Sequence, residues 1–200
     1  MRRRLSDSPT LVTLSVLVAV FAGQQALGLF VRQRALLALS NPLLVQPWTL
    51  VTSVYAHTSL SHLVANALML ALVGLLVERQ TTRGRFHLFF LGTGMLSGVS
   101  QVTVAAVLAP IVPWMSANGS VIGASGAIFA LFGYLLASNR LTETVVAGFE
   151  LAPRTQLALA GLFAVGITLA TATPGVALIA HFTGLLLGVL SGRGHLLRPP

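Results

Sequence analysis

Ser125 lies in Val121-Ile-Gly-Ala-Ser-Gly-Ala-Ile-Phe-Ala-Leu-Phe-Gly-Tyr134, where it opens an apolar run with a glycine on its C-terminal side. A serine hydroxyl is a weak nucleophile until a base takes its proton, and an imidazole is the side chain best suited to do so. His181, in Ala180-His-Phe-Thr-Gly184, also stands near the start of an apolar run. His62 and Asn66, in a third run, are four residues apart and therefore one helical turn from each other. Their side-chain donors, with the backbone N–H of Ser125, are of the kind that stabilises an oxyanion in acyl transfer. Cysteine is absent, which removes thiolate nucleophiles, disulfides and Cys-based metal sites. No H-E-x-x-H motif for zinc occurs, and no aspartate falls inside an apolar run. Neither a metal nor a cofactor is expected.

The chain that must position these residues is 55% hydrophobic and 8% charged over 200 residues. A soluble domain has a charged share nearer a quarter, so one compact integral membrane domain is expected. Six apolar segments can be marked: Leu11 to Phe30, Leu60 to Val77, Phe86 to Leu108, Ala124 to Ser138, Thr155 to Ala172 and Val176 to Gly192. Their lengths suit tilted or shortened membrane helices, giving an all-α, polytopic, six-transmembrane-helix bundle. The expected organisation is a short basic N-terminus over residues 1–10, a membrane domain over 11–192 and a short basic tail over 193–200. Leu11 to Phe30 is longer than the apolar core of a signal peptide and is read as a retained anchor.

The net charge of +8 comes from arginine without any lysine, and the arginines cluster in short segments between apolar runs. No basic face could track a phosphate backbone, so nucleic acid is excluded and the charge reads as topology. With the N-terminus inside, Arg2, Arg3, Arg4, Arg79, Arg83, Arg85, Arg140, Arg154, Arg193 and Arg198 all fall inside, leaving only Arg32 and Arg34 outside. Both termini are therefore expected in the cytoplasm, in a multi-pass protein of a prokaryotic plasma membrane. His62, Asn66, Ser125 and His181 then share one depth in the outer half of the bilayer. The four carboxylates, Asp7, Glu78, Glu143 and Glu150, lie on the inner side. The catalytic set would be a Ser–His dyad without an acid.

The run that begins at Ser125 is short. From Gly123 to the polar cluster at Ser138-Asn139-Arg140 it spans about 15 residues, or ~22 Å of helix against a ~30 Å hydrocarbon core. Arg140 pins one end to the inner interface, so the end with Ser125 is recessed below the outer surface, beside a wet cavity. Unpaired N–H groups and the positive end of the helix dipole meet there. Gly126, Ala130, Gly133 and Ala137 form a small-residue stripe on this helix, and His181, Gly184 and Gly188 share a face on the last one. Small faces let helices approach closely, which brings His181 beside Ser125.

Each residue also has a plainer reading. A single serine in a membrane helix commonly packs or bonds back to its own carbonyls, and a single histidine or asparagine commonly joins helices. Matched depth and matched glycine faces favour the catalytic reading for the set together. His57 stands either as a supporting polar residue or as a loop residue, and His87 and His195 read as solvated. Gly123-Ala-Ser-Gly-Ala127 is not the G-x-S-x-G elbow of soluble hydrolases, since Ala127 replaces the last glycine and no strand is expected before it.

Gly123-Ala-Ser125-Gly126, His62-Leu-Val-Ala-Asn66 and Ala180-His181-Phe-Thr-Gly184-Leu-Leu-Leu-Gly188 together resemble the three signatures of the rhomboid intramembrane serine proteases, from Trp48 onward. The resemblance implies Ser125 as nucleophile, His181 as base, and His62, Asn66 and the Ser125 N–H as the oxyanion hole. Gly123, Gly126, Phe129, Gly184 and Gly188 would support the site by helix packing. Substrates would be transmembrane segments of other membrane proteins, entering sideways from the bilayer near spans two and five. Glu78 matches an acidic position of the family at the inner end of span two. Trp48 is followed by Thr49 where the family often has arginine, and Phe129 stands where some members have tyrosine. The alternatives are an inactive rhomboid-like protein that binds membrane clients and a small transporter using His62 and His181 as relay groups.

Overall fold

A computed structural model describes residues 7–28, 33–112, 119–138, 153–170 and 177–199. Among them are the helices α1 (Pro9–Gly28), α2 (Gln33–Leu37), α3 (Thr49–Tyr55), α4 (Leu60–Val77), α5 (Arg83–Leu108), α6 (Ser125–Ala137), α7 (Pro153–Ala170) and α8 (Leu178–Arg193). Two short strands, β1 (Leu39–Ser40) and β2 (Ser120–Val121), pair antiparallel, with Leu39 opposite Val121 and Ser40 opposite Ser120. Among the described residues, three helical stretches are long and apolar enough to cross a membrane, namely Pro9–Ala26, Leu60–Gln80 and Arg83–Leu108, while α6 and α8 are shorter apolar helices. Arg2, Arg3, Arg4, Arg32, Arg140, Glu143, Glu150 and Asn118 lie outside the described residues, as do residues 29–30, 171–172 and 176 of the first, fifth and sixth expected segments.

The helices begin where the sequence supplies caps. Ser59 accepts from the His62 N–H at the start of α4, and Thr82 accepts from the Arg85 N–H at the start of α5. Pro9 occupies the first position of α1, where its missing N–H costs nothing. Beyond its own residues, α1 is capped by Glu78, which comes directly after α4: the carboxylate accepts from Ser8 Oγ at 2.6 Å and from the Thr10 N–H at 3.1 Å. Thr10 also packs on Gly74, where a Cβ would come within 2.8 Å of its Cγ2, so α1 and α4 cross closely at this end. Removing the carboxylate would leave two buried donors unpaired, each at about 1–3 kcal/mol. Glu78→Ala is accordingly expected to lower the unfolding temperature in detergent, with Glu78→Gln intermediate because its amide oxygen can still accept; an unchanged melting curve would contradict the cap.

Large apolar side chains point outward, with Leu68 and Leu72 each 66% exposed, Leu88 74% and Leu162 69%. That pattern suits hydrocarbon rather than water. The core holds Val73, Phe86, Phe90, Ala127, Leu131 and Tyr134. The most extensive helix pair is α6 with α8. Gly184 and Gly188 leave no room for a Cβ against the carbonyl oxygens of Gly126 and Ala130, and at Gly192 a Cβ would lie 2.7 Å from the Tyr134 oxygen. The two helices therefore touch backbone to backbone at three points spaced about one turn apart.

The chain after Arg193 packs against the helices. Leu197 is buried in the core, Arg198 donates to the Ser138 carbonyl at 2.7 Å, and Arg85 donates to the carbonyls of Leu196 and Arg198. His87 and His195 are half-buried rather than solvated, His87 lying edge-on to Phe86 with Nδ1 3.4 Å from Thr13 Oγ1.

Candidate active site

Ser125 is the first residue of α6 and is half-buried. Ile128 N–H bonds to the Ala124 carbonyl, so the N–H groups of Ser125, Gly126 and Ala127 precede the first intrahelical bond. The approach to this helix end is fixed by backbone bonds. Val121 pairs with Leu39, and the Gly123 N–H donates to the Ser53 carbonyl at 2.8 Å. Gly123 turns the chain at φ +133°, a conformation that side-chain-bearing residues rarely adopt. Ser125 lines a small cavity with Ser53, Ser97, Gly98, Gly123 and Ala180. The Ser97 hydroxyl is buried there without a hydrogen-bond partner among the described residues.

α8 brings His181 to the same place. Its ring stacks on Phe129 at 4.3 Å between centroids and 18° between planes, and Phe129 is one turn beyond Ser125 on α6. Gly126 and Gly184, one residue after Ser125 and three after His181, form the adjoining backbone contact. His181 is 8% exposed. The start of its helix is capped from α5, where Gln101 Oε1 accepts the Ala180 N–H at 3.2 Å.

His62 comes from α4. Its ring lies against Gly123, where a Cβ would sit 2.7 Å from Cε1 and 2.9 Å from Nε2. On its other atoms, Nδ1 is 3.2 Å from Thr58 Oγ1 and the ring meets the ring of His57 edge-on at 5.0 Å. Asn66 is buried one turn further along α4, and its Nδ2 donates to the His62 carbonyl at 2.9 Å, so one of its two amide hydrogens is committed to its own helix.

Phe129 thus meets His181, Gly126 meets Gly184 and Ala130 meets Gly188 across the α6–α8 contact, with Ser125 one turn before Phe129 and His62 over Gly123. Asn66 is on the same side of α4, with its hydrogen bond made inside the helix. His57 lies in the connection between α3 and α4 and is fully buried. Burial, then the neighbouring His62, pushes its imidazole down to about 4 against the opposing hydrogen bond to the Tyr55 carbonyl, so the ring is neutral at pH 7. Gln24, Ser97 and Gln101 do not stand out in the sequence as His62 or His181 do. A signal for the glutamines is present all the same, since a polar amide inside an apolar run calls for a hydrogen-bond partner.

Among the described residues, no group of three His, Asp or Glu side chains is arranged to hold a metal ion. A half-buried serine at a helix N-terminus, an imidazole stacked one turn further on and a second imidazole over the approach loop thus stand among apolar helices suited to a membrane.

The chain belongs to the rhomboid family, whose domain model, described as "Rhomboid domain", matches residues 45–197. Rhomboid-like protein 1 of Arabidopsis thaliana is 30% identical over 76% of this chain and 35% of its own length. Rhomboid protease GluP of Bacillus subtilis (strain 168) is 36% identical over 52% of this chain and 19% of its own. A putative rhomboid protease, YdcA, of the same bacterium is 32% identical over 44% of this chain and 40% of its own. The chain spans less than half the length of each of these relatives.

Proposed function

We propose that the protein is an intramembrane serine endopeptidase that cleaves transmembrane segments of other membrane proteins. The observation that carries this reading is the stacking of His181 on Phe129, one turn from Ser125, at a helix contact closed by Gly126 and Gly184. In the proposed reaction Ser125 Oγ attacks the scissile carbonyl carbon while His181 takes its proton. The carbonyl π electrons move onto oxygen, and the resulting oxyanion is held by the Ser125 N–H, His62 and Asn66. Collapse expels the amine, which receives the proton from His181, and leaves an acyl-enzyme. Water, deprotonated by His181, then releases the carboxylate product and restores Ser125.

The reading includes six membrane helices, both termini in the cytoplasm and a prokaryotic plasma membrane, with no metal or cofactor in the mechanism. Support for recessed chemistry comes from α6, whose 13 residues span ~20 Å, short of a ~30 Å hydrocarbon core. A fluorophosphonate probe tests the assignment with one gel. Detergent-solubilised protein is expected to be labelled covalently and Ser125→Ala to remain unlabelled. Absence of labelling in the unaltered chain would favour the client-binding reading, and solute flux in liposomes without labelling would favour transport.

A further inference from the structure

Gln24, on α1, is 2% exposed and spends both ends of its carboxamide on one distant residue. Its Nε2 donates to the His57 carbonyl and its Oε1 accepts from the His57 N–H, both at 2.9 Å. A reciprocal pair of this kind, as between neighbouring strands, fixes the position and the rotation of a backbone. The His57 ring above it is fully buried. Its Nδ1 is 3.2 Å from the Tyr55 carbonyl, which can only accept, so the proton sits on Nδ1. Its Nε2 is buried without a hydrogen-bond partner among the described residues. Burying a bare ring nitrogen is unfavourable, and the ring is held there against the ring of His62, edge-on at 5.0 Å and 68°.

His62 is confined on three sides, by His57, by Gly123 and by Thr58. When the Thr58 hydroxyl donates to Nδ1, the imidazole proton is on Nε2, the nitrogen that lies at Gly123, two residues before Ser125. Donors aimed at an oxyanion contribute most when their orientation is set before the charge forms.

Resting on the protease reading above, we propose that Gln24 and His57 are positioning residues for His62. α1 clamps residue 57 through Gln24, and the His57 ring walls in the His62 ring so that Nε2–H stays turned toward the oxyanion side of Ser125. The residue that starts this chain of contacts lies outside the matched stretch 45–197.

The test is a double-mutant cycle on the whole chain in detergent, measuring kcat and KM on a model transmembrane substrate. His57→Ala and Gln24→Leu are each expected to lower kcat roughly tenfold, well short of the 10²- to 10³-fold loss on deleting a donor, with KM little changed. His57→Phe keeps a ring edge against His62 and is expected to recover most of the loss. In a His62→Ala background, neither change costs anything further, because the group they act through is gone. Losses that add to that of His62→Ala, or that appear in KM and melting temperature rather than kcat, would overturn the proposal, as would no loss at all. If Gln24→Leu fails to fold, the cycle of His57 with His62 decides alone. The two readings fail separately. An unaltered chain in which Ser125 is not labelled by a fluorophosphonate sinks the protease assignment, whereas labelling together with an additive His57–His62 cycle sinks only the clamp.

Discussion

Ser125→Ala is expected to abolish cleavage of a transmembrane substrate while leaving the folded protein almost untouched. The residue is half-buried at a helix start, and the change removes a single hydroxyl oxygen from beside a cavity. His181→Ala is expected to remove activity to the same extent, because a base and its nucleophile fail together. The loss for either should be on the order of 10⁴- to 10⁶-fold, and the double variant no worse than the single ones. The two differ in stability. His181 is stacked on Phe129, so its removal should also cost about 0.5–1.5 kcal/mol, the scale of a ring pair. Asn66→Ala forms a contrast: turnover falls by at most the 10²- to 10³-fold typical of one oxyanion donor, with little change in KM. Turnover assays and melting curves on the four proteins separate these outcomes, and appreciable cleavage by Ser125→Ala would remove the nucleophile assignment.

The other large effect is expected at Gly188. A Cβ there would overlap the Ala130 carbonyl oxygen and lie 2.8 Å from the Tyr134 nitrogen, both backbone atoms that cannot move without parting the two helices. Ordinary overpacking costs about 1–3 kcal/mol, and a leucine at this position should exceed that because no side chain is available to give way. Gly188→Leu is therefore expected to lose most folded protein, or to melt far below the unaltered chain and carry no activity. Gly92→Ala is the control, since nothing lies within 4 Å of the added carbon. Its melting temperature should stay the same or rise slightly. Equal behaviour of the two variants would mean that α6 and α8 can pack without this backbone contact.

How legible these features were depends on what made them. Ser125, His62, Asn66 and His181 stood out because polar groups in apolar runs are costly, and the glycine faces of α6 and α8 followed from spacing alone. The same cost rule applied to Gln24 and Gln101, yet an uncharged amide reads as generic helix glue until its partner is known. Each partner is a backbone group on another element, His57 and Ala180, so no local pattern could reveal it. The pairing of β1 with β2 rests on two residues from each strand, too short for any periodicity to register. From the sequence alone, residues 193–200 are a short basic tail, and arginine there suggests water. Here Arg198 instead bonds a helix-end carbonyl while Leu197 enters the core. Asn66 was legible as a donor, but the bond it makes to its own helix was not.

Helix α1 is fastened to later parts of the chain at both ends, by Glu78 on Ser8 and Thr10 near its start and by Gln24 on His57 near its finish. The stretch shared with the family model begins only at residue 45. A fragment cut at that boundary would keep the Glu78 carboxylate and both backbone groups of His57 but lose every partner that α1 supplies to them. Glu78 and His57 are buried in the intact chain, so the cut would strip buried polar groups of the partners they have there. The unit that homology delimits is thus smaller than the unit that can fold with its polar groups satisfied, and the helix outside the homologous stretch is structurally part of the domain.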